Sequence, residues 1–158
     1  MSRANYQVLV IPYFLEGGEA RYCVFKRADA GIWQFVAGGG EREDASVLEA
    51  AKREAFEEAG ILSSCEYVQL DTCCSIPANC FEHVELEWGR ECFVVPEYAF
   101  GVRLGSMVVT LSCEHAECKW ASYEEAQALL VYDSNKTALW ELSRRIELGC
   151  LDSFEYRK

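Results

Sequence analysis

The spacing of hydrophobic positions changes along this chain, and the changes mark out its elements. Gln7 to Leu15 is rich in Val, Leu, Ile and Tyr and predicts a buried strand. Glu16-Gly17-Gly18-Glu19 is a turn signal, and Ala20 to Lys26 predicts the returning strand of a hairpin. Ile32 to Ala37 predicts another short strand, running into Gly38-Gly39-Gly40. The period then becomes helical. Ser46-Val47-Leu48-Glu49 fits a Ser-x-x-Glu capping box, in which each side chain satisfies a free backbone N–H. Leu48, Ala51, Ala55 and Ala59 follow as a core-facing stripe made largely of small residues, and Gly60 stands where a helix-ending glycine belongs.

Strand patterns return at about Tyr67 to Cys74, Glu91 to Ala99, Met107 to Leu111 and Glu117 to Trp120. Ser122-Tyr123-Glu124-Glu125 is a second capping box, opening a short helix through Leu130. A last amphipathic helix is predicted from about Asn135 to Leu148, ending at Gly149. Strands, helix, strands, then helices predict an α+β fold, an α/β/α sandwich with a mixed sheet between helices. No repeat, low-complexity tract or linker divides the sequence, so one domain over 1–158 is expected.

Composition narrows the function classes. Asp and Glu outnumber Lys and Arg by 26 to 15, for a net charge of −11, which argues against nucleic acid held by counterion release. An acidic protein acting on an anionic substrate needs a positive element in its site, and a divalent cation is the obvious one; a solvated acidic surface kept for solubility is the plainer account of the charge. No apolar run approaches the roughly 20 residues of a membrane span, and the first residues carry no leader pattern, so a cytoplasmic location without membrane contact is the expectation. The nine cysteines are odd in number and sit mostly in apolar segments, which predicts reduced thiols instead of a disulfide framework. Cys113, His115 and Cys118 are a weaker zinc alternative without a Cys-x₂-Cys pair.

Within the first predicted helix, Glu54, Glu57 and Glu58 stand at i, i+3 and i+4, on one sector, so that three carboxylates are expected to meet at one point. They lie in the last turns, where the helix dipole favours cations. An exposed glutamate face is one reading. It leaves unexplained the three preceding glycines and the alanines on the core side. A divalent cation accounts for the cluster better, because Mg²⁺ takes carboxylate oxygens, waters and substrate phosphate oxygens. Arg53 is placed to orient one of these carboxylates, and the Gly38-Gly39-Gly40 backbone can approach a phosphate or metal closely because no Cβ intervenes.

This segment resembles the Nudix hydrolase family. The Nudix box reads Gly, five residues, Glu, seven residues, then Arg-Glu-apolar-x-Glu-Glu-x-Gly-apolar; here Gly39 is followed at the same distance by Arg53-Glu54-Ala55-Phe56-Glu57-Glu58-Ala59-Gly60-Ile61. The box's first Glu falls on Ala45, with Glu41, Glu43 or Asp44 as substitutes in the loop and reduced activity as the other consequence. The resemblance implies a Nudix fold, with Glu54, Glu57 and Glu58 as ligands of Mg²⁺ (or Mn²⁺ in its place), Arg53 as their orienting partner, and the Gly39 carbonyl as a metal contact. It implies attack of a metal-activated water on a phosphorus of a nucleoside-diphosphate-linked compound, and a homodimer as a common assembly.

The resemblance extends beyond the box, toward the dihydroneopterin triphosphate and dATP pyrophosphohydrolase branch. Arg27-Ala28-Asp29-Ala30-Gly31-Ile32-Trp33-Gln34-Phe35 is similar to that branch's Arg…Phe-Trp-Gln run, Glu114-His115 with Lys119-Trp120 to its Glu-His…Lys-Trp segment, and Asp133-Ser134-Asn135-Lys136 to its Ser-Asn-Arg stretch. It implies Glu114 as a further metal ligand or base, and a substrate site including Arg27, Trp33, Gln34, Asn135 and Lys136. Each has a plainer reading: Trp33 and Trp120 as core or groove-wall aromatics, Glu114 as a loop carboxylate, His115 as a surface or hydrogen-bonded histidine with general base as the other reading, Arg27 and Lys136 as solvated charges. The implied function is a Mg²⁺-dependent pyrophosphohydrolase acting on a small nucleoside or pterin triphosphate and releasing pyrophosphate. The alternative is a Nudix-fold nucleotide-binding module with weak or lost catalysis, for which Ala45 is the argument.

Overall fold

The structure, a computed structural model, describes residues 2–151; the ends of the expected 1–158 domain lie outside the described residues. Its strands are β1 (Arg3–Glu16), β2 (Glu19–Arg27), β3 (Trp33–Gln34), β4 (Val36–Glu41), β5 (Glu66–Pro77), β6 (Val94–Arg103) and β7 (His115–Ala121). Its helices are α1 (Val47–Ala59), α2 (Val84–Trp88), α3 (Tyr123–Leu129) and α4 (Asp133–Leu148), with a 3-10 turn at Ala78–Cys80. The fold is α+β: a mixed sheet between helices.

β1 organises the sheet. β6 runs parallel along one of its edges, pairing Leu9 with Ala99, while the other edge takes β4 antiparallel and then β2. β5 extends the sheet beyond β6, and β7 and β3 pair with β2. Successive residues of β1 point to opposite faces. Leu9, Ile11 and Tyr13 join the core beneath α3 and α4, with Leu139 and Leu142, whereas Val8 and Val10 join the core beneath α1, with Ala51, Ala55 and Ala59. Burial on both faces is why the segment reads as nearly continuous apolar sequence. The alanine stripe lets α1 lie close to the sheet, which brings its carboxylates to β4.

Local signals explain the boundaries. Gly17 and Gly18 both have positive φ, as a two-residue hairpin loop requires. Ser46 Oγ accepts from Glu49 N at 3.2 Å, Ser122 Oγ accepts from Glu125 N at 3.2 Å, and Gly60 closes α1 in the left-handed conformation. Three expectations change. The predicted strand from Ile32 to Ala37 breaks at Phe35 into β3 and β4. The predicted Glu91–Ala99 strand is shifted forward to Val94–Arg103, because residues 78–92 form the 3-10 turn, α2 and a turn instead. Met107–Leu111 is not a strand: Thr110 N donates to Ala59 O at 3.0 Å and Ser112 N to Glu58 O at 3.2 Å, so the segment satisfies carbonyls at the end of α1 instead of joining the sheet. Among the described residues no helix is long and apolar enough to cross a membrane.

Candidate active site

Arg53 is the hub of the acidic helix. Its Nε and Nη2 donate to Asp44 Oδ1 and Oδ2 at 3.1 and 2.9 Å, a two-pronged carboxylate contact. Nη2 also donates to the Gly39 carbonyl at 2.9 Å, and Nη1 donates to Glu54 Oε1 at 2.8 Å and reaches Glu57 Oε2 at 3.5 Å. The guanidinium therefore ties β4, the following loop and α1 together. Asp44 also accepts from Glu41 N at 2.8 Å, closing the loop, and the Arg53 contact holds its carboxyl below the usual range. Asp44 thus supplies the loop carboxylate one residue before Ala45, and Glu43 is exposed.

The three helical carboxylates do not meet at one point, contrary to expectation. Glu54 folds against β4, where a Cβ on Gly38 would stand 2.1 Å from its carboxyl carbon, so only glycine fits. Glu57 stays exposed beside Arg53. Glu58 turns inward, and its Oε2 lies 2.9 Å from Nε2 of His115, both side chains being almost fully buried. Like charges repel strongly where water is sparse, and the carboxylates are divided between two partners, Glu54 and Glu57 on Arg53 and Glu58 on His115. Burial pushes the Glu54 carboxyl up to about 7 against the opposing pull of Arg53, with Glu58 and Glu57 adding to the rise. Burial also raises Glu58, and its contact with His115 works the other way. His115 is hydrogen-bonded, as one of its readings had it, but it is buried under Phe25, with Nδ1 lacking a partner among the described residues. The zinc alternative loses this imidazole to Glu58.

The segment that caps α1 carries Glu114 to the same place. A cleft of about 300 Å³ is walled by Ala37 and the Gly38–Gly40 backbone and faced by Glu41, Glu54, Glu58, Glu114 and Arg3. A larger hollow of about 420 Å³ lies along α4, but Glu141 there is committed to the backbone N–H groups of Asp71 and Thr72 at 2.6 and 2.8 Å. Among the described residues no three acidic, imidazole or thiol groups already enclose a cation. The donor set nonetheless fits one: hard carboxylate oxygens stand around a cleft whose glycine wall has no room for a Cβ, and burial, with Glu58 and Glu57 adding, raises the Glu54 carboxyl, a cost that a cation would relieve. The Gly39 carbonyl, expected on a metal, accepts from Arg53.

The residues expected to bind substrate are not gathered at this cleft. Arg27 is forked onto Asp29 at 2.9 and 2.6 Å on the surface. Trp33 is partly buried and packs against the core cluster that includes α4, the core-aromatic reading, and Gln34 is buried. Asn135 is buried as well: its Oδ1 accepts from Phe35 N at 2.9 Å, in the gap between β3 and β4, and its Nδ2 donates to Ser134 Oγ at 3.2 Å. It mends the break in the strand instead of lining the cleft. Lys136 is engaged through its carbonyl, which accepts from Gln127 Nε2 at 2.9 Å. Sequence reasoning overlooked Arg3 and Tyr6. A Cβ on Gly39 would meet the Arg3 guanidinium at 2.6 Å, and one on Gly40 the Tyr6 ring at 2.0 Å. The pairing of β1 with β4 was the missing signal, since it lays Arg3 over the glycines.

The family model of the NUDIX domain matches residues 6–141. A Listeria monocytogenes structure named as a NUDIX hydrolase is 43% identical, with a TM-score of 0.83 over 94% of this chain and 98% of that one. The Escherichia coli dihydroneopterin triphosphate pyrophosphohydrolase shares the fold at 22% identity and a TM-score of 0.73, over 92% of this chain and 99% of its own. A Caenorhabditis elegans Ap4A hydrolase does so at 19% and 0.66, over 91% and 98%. No curated protein matches the chain significantly.

Proposed function

The chain belongs to the Nudix domain family, a hydrolase of phosphoric anhydride bonds, and from that premise we propose a Mg²⁺-dependent pyrophosphohydrolase that splits a nucleoside or pterin triphosphate into a monophosphate and pyrophosphate. The observation that carries this reading is the single cleft where Glu54, Glu58 and Glu114 face a wall of glycine backbone. Mg²⁺ held by Glu54, Glu57, Glu58 and Glu114, with Mn²⁺ as a substitute, would supply a water of lowered pKa and neutralise charge on the phosphate oxygens.

The chain's own residues do the positioning. Arg53 Nη1 fixes the Glu54 carboxylate against Gly38 and reaches Glu57 from the same nitrogen. His115 holds Glu58 from beneath, where its second oxygen stays free of that contact. With no Cβ on Gly38 and Gly39, the Glu54 carboxylate and the Arg3 guanidinium lie directly against the strand that walls the cleft. Glu114, on a loop tied to α1, is the ligand or base brought from outside the helix. The nucleoside or pterin class rests on the likeness of the runs at Arg27 to Phe35, Glu114-His115 and Asp133 to Lys136 to one branch of the family. A binding module without catalysis had Ala45 as its support, and Asp44 now makes the contact to Arg53 from the neighbouring position.

The test is turnover of dNTPs, dihydroneopterin triphosphate, ADP-ribose and dinucleoside polyphosphates with Mg²⁺, assaying pyrophosphate and phosphate separately. Pyrophosphate from a triphosphate, abolished by EDTA, is expected. Binding of nucleotide without turnover of any substrate would replace the enzyme by the binding module, and turnover of dinucleoside polyphosphates or ADP-ribose alone would move it to another substrate class.

A further inference from the structure

Four carboxylates face the cleft, and Arg3 is the cation that lines it with them. Arginine heads ordinarily reach water or a carboxylate. This one does neither fully. Among the described residues its side chain donates to Gln7 Oε1 alone, from Nη2 at 3.1 Å, and it forms no ion pair. Its Nε lies over Gly39, buried and without an acceptor. Burying an N–H without a partner is unfavourable, so something else must hold the group there.

Two aromatic rings do so. The guanidinium carbon sits 4.8 Å from the ring centre of Phe81 and 5.6 Å from that of Trp88. The rings meet each other edge to face at 5.7 Å, and Trp88 Nε1 donates to the Arg3 carbonyl at 3.0 Å. A cation over aromatic faces is attracted to them, and with Nε buried and Nη2 on Gln7 it is Nη1 whose N–H groups are left for an anion. Both rings belong to the segment between β5 and β6, so that insertion positions an arginine that originates at the start of β1.

We propose that Arg3 is a phosphate-binding residue of the cleft, held in place by Phe81 and Trp88, and that its ligand is the diphosphate portion of the substrate that leaves as pyrophosphate. The identity of that portion rests on the hydrolytic reading above; the affinity of the cleft for a diphosphate does not. A planar fork fixed opposite the acidic helix matches phosphate oxygens, and it leaves the carboxylates to the cation.

The experiment is calorimetric titration of the full chain with inorganic pyrophosphate at saturating Mg²⁺, alongside Mn²⁺ affinity read by electron paramagnetic resonance. Arg3→Gln is expected to weaken pyrophosphate binding roughly 10- to 100-fold, the effect of losing charged hydrogen bonds. Mn²⁺ affinity should hold or tighten, because a positive charge has left. Arg3→Lys should fall between, and Trp88→Leu should weaken pyrophosphate binding several-fold through loss of positioning. Equal pyrophosphate affinity in wild type and Arg3→Gln overturns the proposal. So does a parallel loss of Mn²⁺ and pyrophosphate affinity, the mark of a collapsed cleft, or a wild type that binds no pyrophosphate. If Arg3→Gln does not fold, Trp88→Leu decides, and unchanged affinity there overturns the proposal. Arg3-dependent pyrophosphate binding without triphosphate turnover would remove the enzyme reading and keep this one; turnover with Arg3-independent affinity would do the reverse.

Discussion

The two regions that resemble Nudix enzymes in sequence use their polar side chains in opposite ways. Around α1, Glu54 is half-buried and Glu58 buried, burial raises both carboxyls, Glu114 faces the same cleft, and Arg53 joins four residues from three segments. Around the start of α4, Asn135 mends a strand break, Gln34 is buried, and Arg27 is already forked onto Asp29. A group left with unmet electrostatic demand is open to a ligand, whereas a group whose hydrogen bonds are satisfied inside the fold serves the fold. Matching residue types therefore say less about a site than the partners those residues have.

The sharpest break would come from Glu57→Gln. Its side chain is exposed, so the fold should keep its melting temperature while metal-dependent turnover falls on the order of 10²- to 10³-fold or more, as when a main electrostatic stabiliser is removed; undiminished kcat would end the metal assignment. Asp44→Ala comes next. It frees the Arg53 fork and should lower kcat/KM roughly 10- to 100-fold, as loss of a charge-assisted contact does. Wild-type kinetics would show that the loop carboxylate has no part in the site.

The acid helix should also betray itself through pH without substrate. Glu54 is raised from an ordinary 4.5 to about 7, so between those values the folded state holds more proton than the unfolded chain. In EDTA, stability should fall as pH rises through that window, by up to about 3 kcal/mol, and Mg²⁺ should restore it most above pH 7. Asp44 shifts the opposite way and acts only below its ordinary 3.8, outside the window. Thermal melts that are flat or rise from pH 5 to 8 in EDTA would contradict this. At the other region, Asn135→Ala should cost about 1–3 kcal/mol of stability through the orphaned Phe35 N–H, with KM little changed; a raised KM at full stability would return Asn135 to the substrate site. The smallest effect is expected from Ala45→Glu, within about twofold of wild-type kcat, since Asp44 already occupies the Arg53 fork. A large gain would show the box gap to be limiting after all.

Much of this was legible along the chain. Apolar runs and helical spacing located β1, β2, β5, β7, α1, α3 and α4, merged β3 with β4 and misplaced the start of β6, and the capping serines and Gly60 marked the limits of α1 and α3 to within a residue or two. Local rules suffice there because caps and turns are made by neighbours. Met107–Leu111 misled because Val109 and Leu111 pack against the core beneath α1 while Met107 and Val108 are exposed, giving a strand-like pattern without a strand partner. α2 gave no periodic signal, since a helix of Val84–Trp88 is too short to show one.

What the sequence determined by itself was the α+β order, the family, and a helix presenting Arg53, Glu54, Glu57 and Glu58, because these depend on spacing within a segment. Tertiary structure decided what each of them faces: Glu54 against Gly38, Glu58 on His115, Arg53 on Asp44, and Arg3 brought over Gly39 by the pairing of β1 with β4. Those contacts join residues far apart in the chain, and burial and partner, not spacing, set the charge each group carries.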